Sequence, residues 1–318
     1  MVESLLDKFG TVAALTASLA CASACLAGHS QVAMDHNDKT ENRIIRLASF
    51  APSCTELIES INAQNCLVGV CKFCDLSNKS PIERIGDFNS ANLERLTRLK
   101  PDMVLAVSGQ DPLIGSLKKN GFNVTVFQNS QLSDIGQNLL KVGKLTHHEQ
   151  AAEMEAQAFE SSLKELKRIC SATRAKPKVF FCVWPQPLLT AGNTSFLHDA
   201  LQACGGKNIA GDLSAPYPHF SMERLVLANP DIVIMPFEAK ANDYLKRSPW
   251  TELQAAKQHQ IYFLPKFESD RLSRPSTQVI DGLYWLGKSL HPEKSEELST
   301  WLQKSKAHMQ EAATGGRS

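Results

Sequence analysis

One segment of the sequence occurs twice, and this repetition limits the possible folds more than any other feature. The first copy, NLERLTRLKPDMVLAV, covers residues 92–107, and the second, SMERLVLANPDIVIMP, covers residues 221–236. Identical residues align throughout the two copies, each pair separated by 129 positions. A single recurrence over this distance is too long for a solenoid repeat. The repetition therefore predicts two related lobes.

Each copy predicts a short helix that is followed by a strand. The helix has to end before Pro101 or Pro230, because the residue before a proline is sterically disfavoured in the α region. The runs DMVLAV and DIVIMP are short and apolar, which is typical of buried parallel strands. Similar strand and helix patterns alternate along the chain, so we expect two Rossmann-like α/β lobes with parallel sheets.

The length of the chain allows two such lobes. It has 318 residues, of which 43% are hydrophobic, and domains commonly span about 100–200 residues. We expect an N-terminal lobe at residues 43–132 and a C-terminal lobe at residues 173–318. Between them, residues 133–172 carry apolar side chains at helical spacing without proline, which predicts one long connecting helix. A helix that packs wholly on one lobe is the alternative.

The first residues differ from the rest of the chain. Residues 9–28 are small, apolar and uncharged, which predicts a signal peptide at 1–28, and the polar residues 29–42 predict a flexible tether. An uncleaved membrane anchor is the alternative. Cys21 and Cys25 each follow small residues, as in a bacterial lipoprotein, so either could carry a lipid. We expect an exported, periplasmic protein.

The sequence contains no familiar catalytic motif. It has no glycine-rich phosphate loop, no GxSxG and no HExxH, so we expect neither an enzyme nor a resident cofactor or metal. A net charge of +1 gives no reason to expect a nucleic-acid partner. Nine cysteines are present, and CKFC at residues 71–74 could form a disulfide, a redox pair or half of a metal site. Thiol redox or metal handling through Cys71 and Cys74 is therefore an alternative function from a different class.

Aromatic residues follow several predicted strands, which is where α/β sheets commonly bind ligands. In each lobe one aromatic residue lies six positions before the repeated glutamate: Phe88 before Glu94, and Tyr217 before Glu223. Such rings predict a cleft for a large, rigid, partly aromatic ligand, unless they plug their loops into the core. The full set comprises Phe73, Phe88, Trp184, Tyr217, Phe220 and Phe267.

These segments resemble the substrate-binding components of ABC importers for cobalamin, ferric siderophores and haem. The resemblance covers about residues 43–292 and lies in RIIRLASFAPSCTELI, LVGVCKFCD, IERIGDFNSANLERLTRLKPDMVLA, LTAGNTSFLHDALQACGGKNIA, PHFSMERLVLANPDIVIM and SPWTELQAAKQHQIYFLP. It is strongest to the cobalamin-binding members. The resemblance implies two lobes joined by a single rigid helix, with the ligand in the cleft between them.

The resemblance also implies roles for individual residues. Glu94 and Glu223 match acidic positions that dock onto the dimeric membrane permease of the importer. The expected ligand, carried as cargo by a monomer, is cobalamin or a related corrinoid. Its aromatic and polar contacts fall on Phe73, Phe88, Trp184, Tyr217, Asp270 and Arg271.

Some positions depart from the family pattern. Phe73, Phe88 and Tyr217 stand where cobalamin binders carry Tyr, Trp and Trp, so a ferric siderophore or haem remains the alternative ligand. For haem iron, Tyr217 and His219 are the candidate axial ligands. Cys204 matches a cysteine that forms a disulfide in the family, but the C-terminal helix that would supply its partner contains no cysteine.

Overall fold

The computed structural model describes residues 43–76, 81–172, 176–241 and 243–315. The predicted signal peptide and tether at residues 1–42, with Cys21 and Cys25, lie outside this described part. The chain from Ile44 to Ser318 forms one compact unit. Among the described residues, no helix is both long and apolar enough to cross a membrane.

Short apolar runs form the first sheet, since each can be buried on both faces between layers of helices. All neighbouring strands are parallel, in the order β3-β2-β1-β4-β5. The strand order reverses between β1 and β4, and ligands of open α/β sheets bind at the carboxyl ends of the strands beside such a reversal. The strands are β1 (Leu47–Ser49), β2 (Leu67–Val70), β3 (Glu83–Arg84), β4 (Met103–Val107) and β5 (Val124–Phe127).

The helices of the first lobe connect successive strands and cover the sheet. Phe50 and Phe127, at the ends of β1 and β5, are among the largest fully buried side chains of its core. The helices are α1 (Pro52–Ser60), α2 (Leu93–Leu99) and α3 (Asp111–Lys119), with a 3₁₀ turn at Gln64–Cys66.

The predicted single helix at residues 133–172 is wrong in one respect, because two helices occupy this range. They are α4 (Ser133–Thr146) and α5 (Glu149–Ser171), and they pack against each other. His147 has a left-handed backbone (φ 57°), which ends α4. A Cβ on Gly143 would lie 2.5 Å from the Cβ of Ala152, so glycine is what permits this close helix contact.

Helix α5 is the segment that joins the two sheets. At 1.5 Å per residue its 23 residues extend about 35 Å. It contacts α4 on one side and, farther along, helices of the second lobe. One such contact is the indole nitrogen of Trp301, which donates a hydrogen bond to the backbone oxygen of Ser162 over 2.8 Å.

The second sheet is parallel apart from one strand, in agreement with the predicted Rossmann-like lobe. Its order is β10-β9-β6-β7, and β8 pairs with β6. Only β7 is antiparallel, because it returns directly beside β6 through a short hairpin. The strands are β6 (Lys178–Pro185), β7 (Leu188–Thr190), β8 (Lys207–Asn208), β9 (Ile232–Pro236) and β10 (Ile261–Leu264).

The second lobe is completed by six helices and four 3₁₀ turns within the described residues. The hydroxyl of Ser195 caps the first of them by accepting from the N–H of His198. The helices are α6 (Phe196–Ala203), α7 (Met222–Ala228), α8 (Gln254–Lys257), α9 (Lys266–Ser273), α10 (Val279–Leu290) and α11 (Ser295–Gly315). The turns are Phe237–Ala241, Asp243–Lys246, Trp250–Glu252 and Pro292–Lys294.

The two copies of the repeat have the same local structure. In the first copy, Asn92 caps α2 through its side chain, and Lys100 ends the helix with a left-handed backbone (φ 47°). In the second copy, Ser221 caps α7, and Asn229 ends it with φ 42°. Both helices thus stop at the residue before proline, as predicted, with a left-handed rather than an extended conformation there.

The repeated aspartate makes the same contact in both lobes. The carboxylate of Asp102 accepts the backbone N–H of Arg46 over 2.8 Å, and that of Asp231 accepts the N–H of Lys178 over 2.7 Å. Arg46 directly precedes the neighbouring strand β1, and Lys178 is the first residue of the neighbouring strand β6. Each aspartate therefore fixes the alignment of its strand with the adjacent one.

The same two basic residues also hold the ends of the repeated helices. The guanidinium of Arg46 donates to the carbonyl of Leu99 over 2.7 Å, and the ammonium of Lys178 donates to that of Ala228 over 2.9 Å. A cation at a helix C-terminus satisfies an unpaired carbonyl and interacts favourably with the helix dipole. The positions of α2 and α7 relative to their sheets are therefore set by matching contacts.

We expect Asp231→Ala to lower the free energy of unfolding by about 1.5–3 kcal/mol, the range for a hydrogen bond that involves a charged group. The alanine leaves the N–H of Lys178 without its side-chain acceptor. Asp102→Ala should have a similar effect, because the contact is duplicated. Urea unfolding followed by circular dichroism measures both, with the exposed Asp243→Ala as a control that should change little. Equal stability of all three variants would contradict this role.

Candidate ligand cleft between the two sheets

The carboxyl ends of the first sheet line a pocket of about 300 Å³. Phe73 and Phe88, which follow β2 and β3, both lie in its wall. Phe73 is half-exposed, with the ammonium of Lys72 4.8 Å from its ring centre, whereas Phe88 is partly buried against the core. The other lining residues are Pro52, Ser53, Val107, Asn129, Ser273, Arg274 and Pro275. The last three lie in and after α9, so both lobes contribute to this pocket.

A second pocket of about 300 Å³ shares Arg274 with the first. Asp270 and Arg271, the two polar ligand contacts predicted from the sequence, lie in its wall. Asp270 is exposed, and the guanidinium of Arg271 stacks on the ring of Phe267 at 4.9 Å. Four of the six predicted ligand residues thus line two pockets that meet at one arginine.

Trp184 and Tyr217 lie elsewhere along the second lobe, in a small antiparallel strip. Trp184 is paired with Leu189, and Leu189 with His219, two residues after Tyr217. Both aromatic side chains are about half-exposed, and the indole nitrogen of Trp184 donates to the backbone oxygen of Gln186 over 2.9 Å. Neither residue lines the two pockets described above, so the structure does not bring all six predicted residues into one pocket.

The sequence analysis missed one exposed aromatic residue at this edge. Phe237 is 49% exposed and directly follows β9, while Trp184 ends β6 and Phe267 follows β10. Because β6, β9 and β10 are parallel neighbours, these three rings lie at the same edge of the second sheet. The position of Phe237 after the apolar run DIVIMP was the available signal.

Phe220 has a different role from the one considered for the loop aromatics. It is buried, and its ring packs on that of Phe180 with centroids 5.2 Å apart. It therefore belongs to the core of the second lobe. A ring after a strand is consequently no proof of a ligand contact, since such rings can also close the core.

Charged side chains join the two lobes beside the pockets. Glu56 of α1 is buried and accepts hydrogen bonds from Arg274 over 3.2 Å and from the hydroxyl of Ser276. Arg274 also donates to Asp75 over 2.8 Å, and Arg271 lies 3.6 Å from Glu56. Burial raises the pKa of Glu56, and the hydrogen bonds from Ser276 and Arg274 oppose that shift.

A second buried carboxylate holds the next residue of the same segment. Glu155 of α5 is 2% exposed and hydrogen-bonds the hydroxyl of Thr277. Its Oε2 atom has no hydrogen-bond partner among the described residues. Burial raises the pKa of Glu155 to about 7, against an ordinary value of 4.5. The segment 271–277 is thus bound by carboxylates of α1 and α5.

Two larger pockets lie away from this edge. One, of about 900 Å³, runs beside α7, and the other, of about 610 Å³, lies between α5 and α11. Their walls are mostly charged and polar, and Trp301 is the one aromatic side chain in either. A large apolar ligand therefore fits the aromatic edge better than either of these grooves.

Comparison with known proteins agrees with this architecture. Residues 47–267 match the periplasmic binding protein family. The chain belongs to that family. A vitamin B12-binding protein of Vibrio cholerae serotype O1 is 26% identical over 241 residues, covering 75% of this chain and 86% of that protein. The uncharacterized ABC transporter substrate-binding lipoprotein YvrC of Bacillus subtilis is 27% identical over 261 residues, covering 79% and 82%.

Solved structures of this periplasmic binding protein family share the two-lobed fold. The periplasmic vitamin B12 binding protein BtuF of Vibrio cholerae has a TM-score of 0.65 at 24% identity, covering 83% of this chain and 98% of that one. The IsdE protein of S. aureus, solved with heme, has a TM-score of 0.70 at 18% identity, covering 79% and 100%. These likenesses establish the fold.

The two glutamates of the repeat occupy equivalent, exposed positions in this binding protein. Glu94 lies in the first turn of α2, and Glu223 in the first turn of α7. Hydrogen bonds from the backbone N–H of Glu223 and from Ser221 lower the pKa of Glu223. Each lobe therefore presents one exposed carboxylate in the first turn of an equivalent helix.

The seven cysteines of the described residues are all buried, and no disulfide joins Cys204, which matches the disulfide cysteine of the family, to another of them. The thiol of Cys204 donates to the backbone oxygen of Leu283 over 3.5 Å. Helix α10 thus contacts Cys204 through a backbone carbonyl, and it contains no cysteine that could form a disulfide with it. The described residues also contain no cluster of three or more His, Cys, Asp or Glu that could hold a metal ion.

The raised pKa of Glu155 makes stability depend on pH. The folded protein binds this proton more tightly than the unfolded chain, so stability falls as the pH rises from about 4.5 to about 7. We expect Glu155→Gln to remove this loss and to be more stable than the wild type at pH 8, by up to about 3 kcal/mol.

Urea unfolding at pH 4, 5.5, 7 and 8 measures the effect. The difference between Glu155→Gln and wild type should grow from pH 4 to pH 8. Glu153→Gln, which alters an exposed glutamate of the same helix, is the matched control and should show no such growth. A difference that does not vary with pH would contradict a raised pKa at Glu155.

Proposed function

We propose that this protein is an exported substrate-binding protein that captures cobalamin or a related corrinoid and delivers it to an ABC importer. The observation that carries the proposal is the pocket in which Phe73 and Phe88 of one lobe face the segment after α9 of the other. Membership of the periplasmic binding protein family and the likeness to vitamin B12-binding proteins support it.

The chemistry of the edge suits a corrinoid. A corrinoid is a large, rigid macrocycle with an apolar face and amide side chains at its rim. Exposed rings of both lobes offer apolar surface, and its burial contributes roughly 25 cal/mol per Å². Ser53, Asn129 and Asp270 line the pockets and offer hydrogen-bonding groups for amides.

The charges near the pockets favour a ligand with an uncharged rim over a ligand with an anionic rim. Arg274 is already paired with Glu56 and Asp75, and Arg271 lies beside Glu56 and Phe267. Haem propionates would have to compete with these carboxylates for the same cations. The Nε atom of Arg271 is buried and has no partner among the described residues, so this arginine retains an unused hydrogen-bond donor beside the pockets.

Haem or a ferric siderophore is the second candidate ligand. The observation that favours it is the exposed pair Tyr217 and His219 on the antiparallel strip of the second lobe. Phenolate and imidazole are both axial ligands of iron in proteins. The solved relatives of the fold include an IsdE protein with heme bound.

Delivery requires export and docking. Residues 1–28 would direct export and residues 29–42 would act as a tether, with Cys21 or Cys25 as a site for lipid, and a lipoprotein among the relatives supports this. The lobes would comprise residues 43–132 and 173–318. Glu94 and Glu223 would bind equivalent cationic sockets on a dimeric permease, so that the binding protein acts as a monomer.

Parallel calorimetric titrations of the chain from residue 29 with cyanocobalamin, haem and a ferric hydroxamate test the ligand. We expect one-to-one binding of cyanocobalamin with a Kd below about 1 µM, and no saturation with the iron ligands. If only an iron ligand saturates the protein, the proposed transport role stands, but the cargo is that iron ligand and not cobalamin.

Substitutions in the cleft test which rings bind. Phe88→Ala and Tyr217→Ala should each weaken cyanocobalamin binding by about tenfold or more, since loss of a buried ring costs on the order of 1.5–3 kcal/mol. Leu140→Ala, on the exposed face of α4, is the control and should bind as the wild type does. Unchanged affinity in Tyr217→Ala would place that ring outside the ligand contact.

The docking proposal predicts a separation of binding from delivery. Glu94→Lys combined with Glu223→Lys should leave the Kd for cyanocobalamin unchanged, because both residues lie outside the pockets, and should abolish uptake by the importer in proteoliposomes. Glu153→Lys, an exposed change on α5, is the control and should permit uptake. Normal uptake by the double variant would exclude these glutamates as docking residues.

A further inference from the structure

The CKFC segment forms a tight turn at the carboxyl end of β2. The N–H of Cys71 donates to the carbonyl of Ser49, which continues the pairing of β2 with β1, and the N–H of Cys74 donates back to the carbonyl of Cys71. This turn brings the two sulfur atoms to 3.2 Å from each other. Phe73 lies between the two cysteines and points into the cleft pocket as part of its wall.

The surroundings hold the two thiols in place. Cys71 and Cys74 are both buried, and the hydroxyl of Thr55 donates to the sulfur of Cys74 over 3.1 Å. One nitrogen of Arg84 donates to both backbone oxygens of the turn, over 2.9 Å to Cys71 and 2.7 Å to Cys74. The turn is thus fixed from two sides, with the sulfur atoms directed at each other.

The chemistry favours a bond between the sulfurs over a metal site. A structural zinc ion needs four ligands, and the described residues hold no cluster of three or more ligating side chains. The nearby thiol of Cys54 is fully buried, and this burial raises its pKa far above the ordinary value, which disfavours the thiolate that a metal requires. By contrast, the hydrogen bond from Cys74 lowers the pKa of Cys71 to about 7.

We propose that Cys71 and Cys74 are joined by a disulfide when the chain folds in an oxidising compartment, and that this bond fixes the turn that carries Phe73. The sulfur atoms have to approach by only about 1 Å to reach the S–S bond length of ~2.05 Å. The effect on the cleft rests on the proposed ligand function, whereas the bond itself does not.

The oxidant is the disulfide of a thiol oxidoreductase or of a small oxidised thiol. The thiolate of Cys71 attacks one sulfur of that disulfide, forms a mixed disulfide, and releases the other sulfur as a thiolate. Cys74 then loses its proton and attacks the sulfur of Cys71, which forms the Cys71–Cys74 bond and releases the second donor thiolate. Two electrons pass to the oxidant disulfide, which is reduced to two thiolates. These thiolates take up two protons, equal in number to those that Cys71 and Cys74 lose.

Burial determines when this exchange occurs. In the folded protein neither sulfur is reachable by a second protein, so the bond forms before the turn is covered. Once covered, it is protected from reductants, since exchange requires access to a sulfur atom. We therefore expect dithiothreitol to reduce the bond far more slowly in buffer than in urea.

Peptide mapping tests the bond directly. The protein is exported from bacteria with its own leader, purified without reductant, unfolded in urea with iodoacetamide and digested with trypsin. Cleavage after Lys72 separates Cys71 from Cys74, so a disulfide leaves two peptides joined and lighter by two hydrogens. We expect this linked pair, with fragment ions that place the bond at Cys71, and we expect Cys66→Ser to retain it. Alkylation of both Cys71 and Cys74 would overturn the proposal.

Ligand affinity tests the effect on Phe73. Cyanocobalamin should bind at least threefold more weakly after reduction in urea, alkylation and refolding, and in the variant Cys71→Ser combined with Cys74→Ser. The variant Cys66→Ser, treated without reductant, is the matched control. Equal affinity of the linked and unlinked forms would overturn the positioning of Phe73 by the bond. Absence of cyanocobalamin binding in every form would refute the proposed ligand, and the peptide map would still decide whether the bond exists.

Discussion

The buried carboxylate of Glu56 is the contact on which the geometry of the cleft depends. The larger apolar core contains side chains of both sheets, such as Leu47 and Val179, and the second-lobe residues that close both pockets lie in and shortly after α9. Glu56 holds this segment through Ser276 and Arg274, and Arg274 in turn reaches Asp75 beside the Phe73 turn. Because removal of charge from water is costly, such a group persists only where its partners are placed for it. The distance between the lobes is therefore fixed by hydrogen bonds beside the ligand pockets, in addition to α5.

The repeated segment serves a structural need in each lobe that is separate from ligand binding. A seven-residue helix is too short to be stable by itself, since helix nucleation is costly. In both copies a side chain caps the start of the helix, a basic residue at the start of the neighbouring strand donates to its last turn, and the aspartate after the helix accepts the N–H of that basic residue. The chain thus presents two short helices as rigid parts of their sheets, and the exposed glutamates occupy defined positions.

The sequence predicted those parts of the structure that depend on residues close together in the chain. Apolar runs and prolines located the strands and the ends of the repeated helices, and the family resemblance supplied the cleft. The break at His147 was missed because apolar spacing continues through it, and β7 was not predicted because it is only three residues long. Glu56 and Arg274 are separated by 218 positions, so no pattern in one sequence links them. For the same reason, the sequence could not show that Trp184 and Tyr217 lie outside the two pockets that the other four predicted residues line.

The likeness of α2 and α7 has a consequence for any partner with two identical sockets. Such a partner can receive the molecule in two orientations that exchange the lobes, and because the two sockets are identical these orientations have equal free energies. The helices differ on their exposed faces, where Thr97 and Arg98 of α2 correspond to Val226 and Leu227 of α7, the latter 88% exposed. In a docked complex these two side chains per lobe would give the two identical sockets different neighbours, so the complex would be asymmetric even though the partner alone is symmetric.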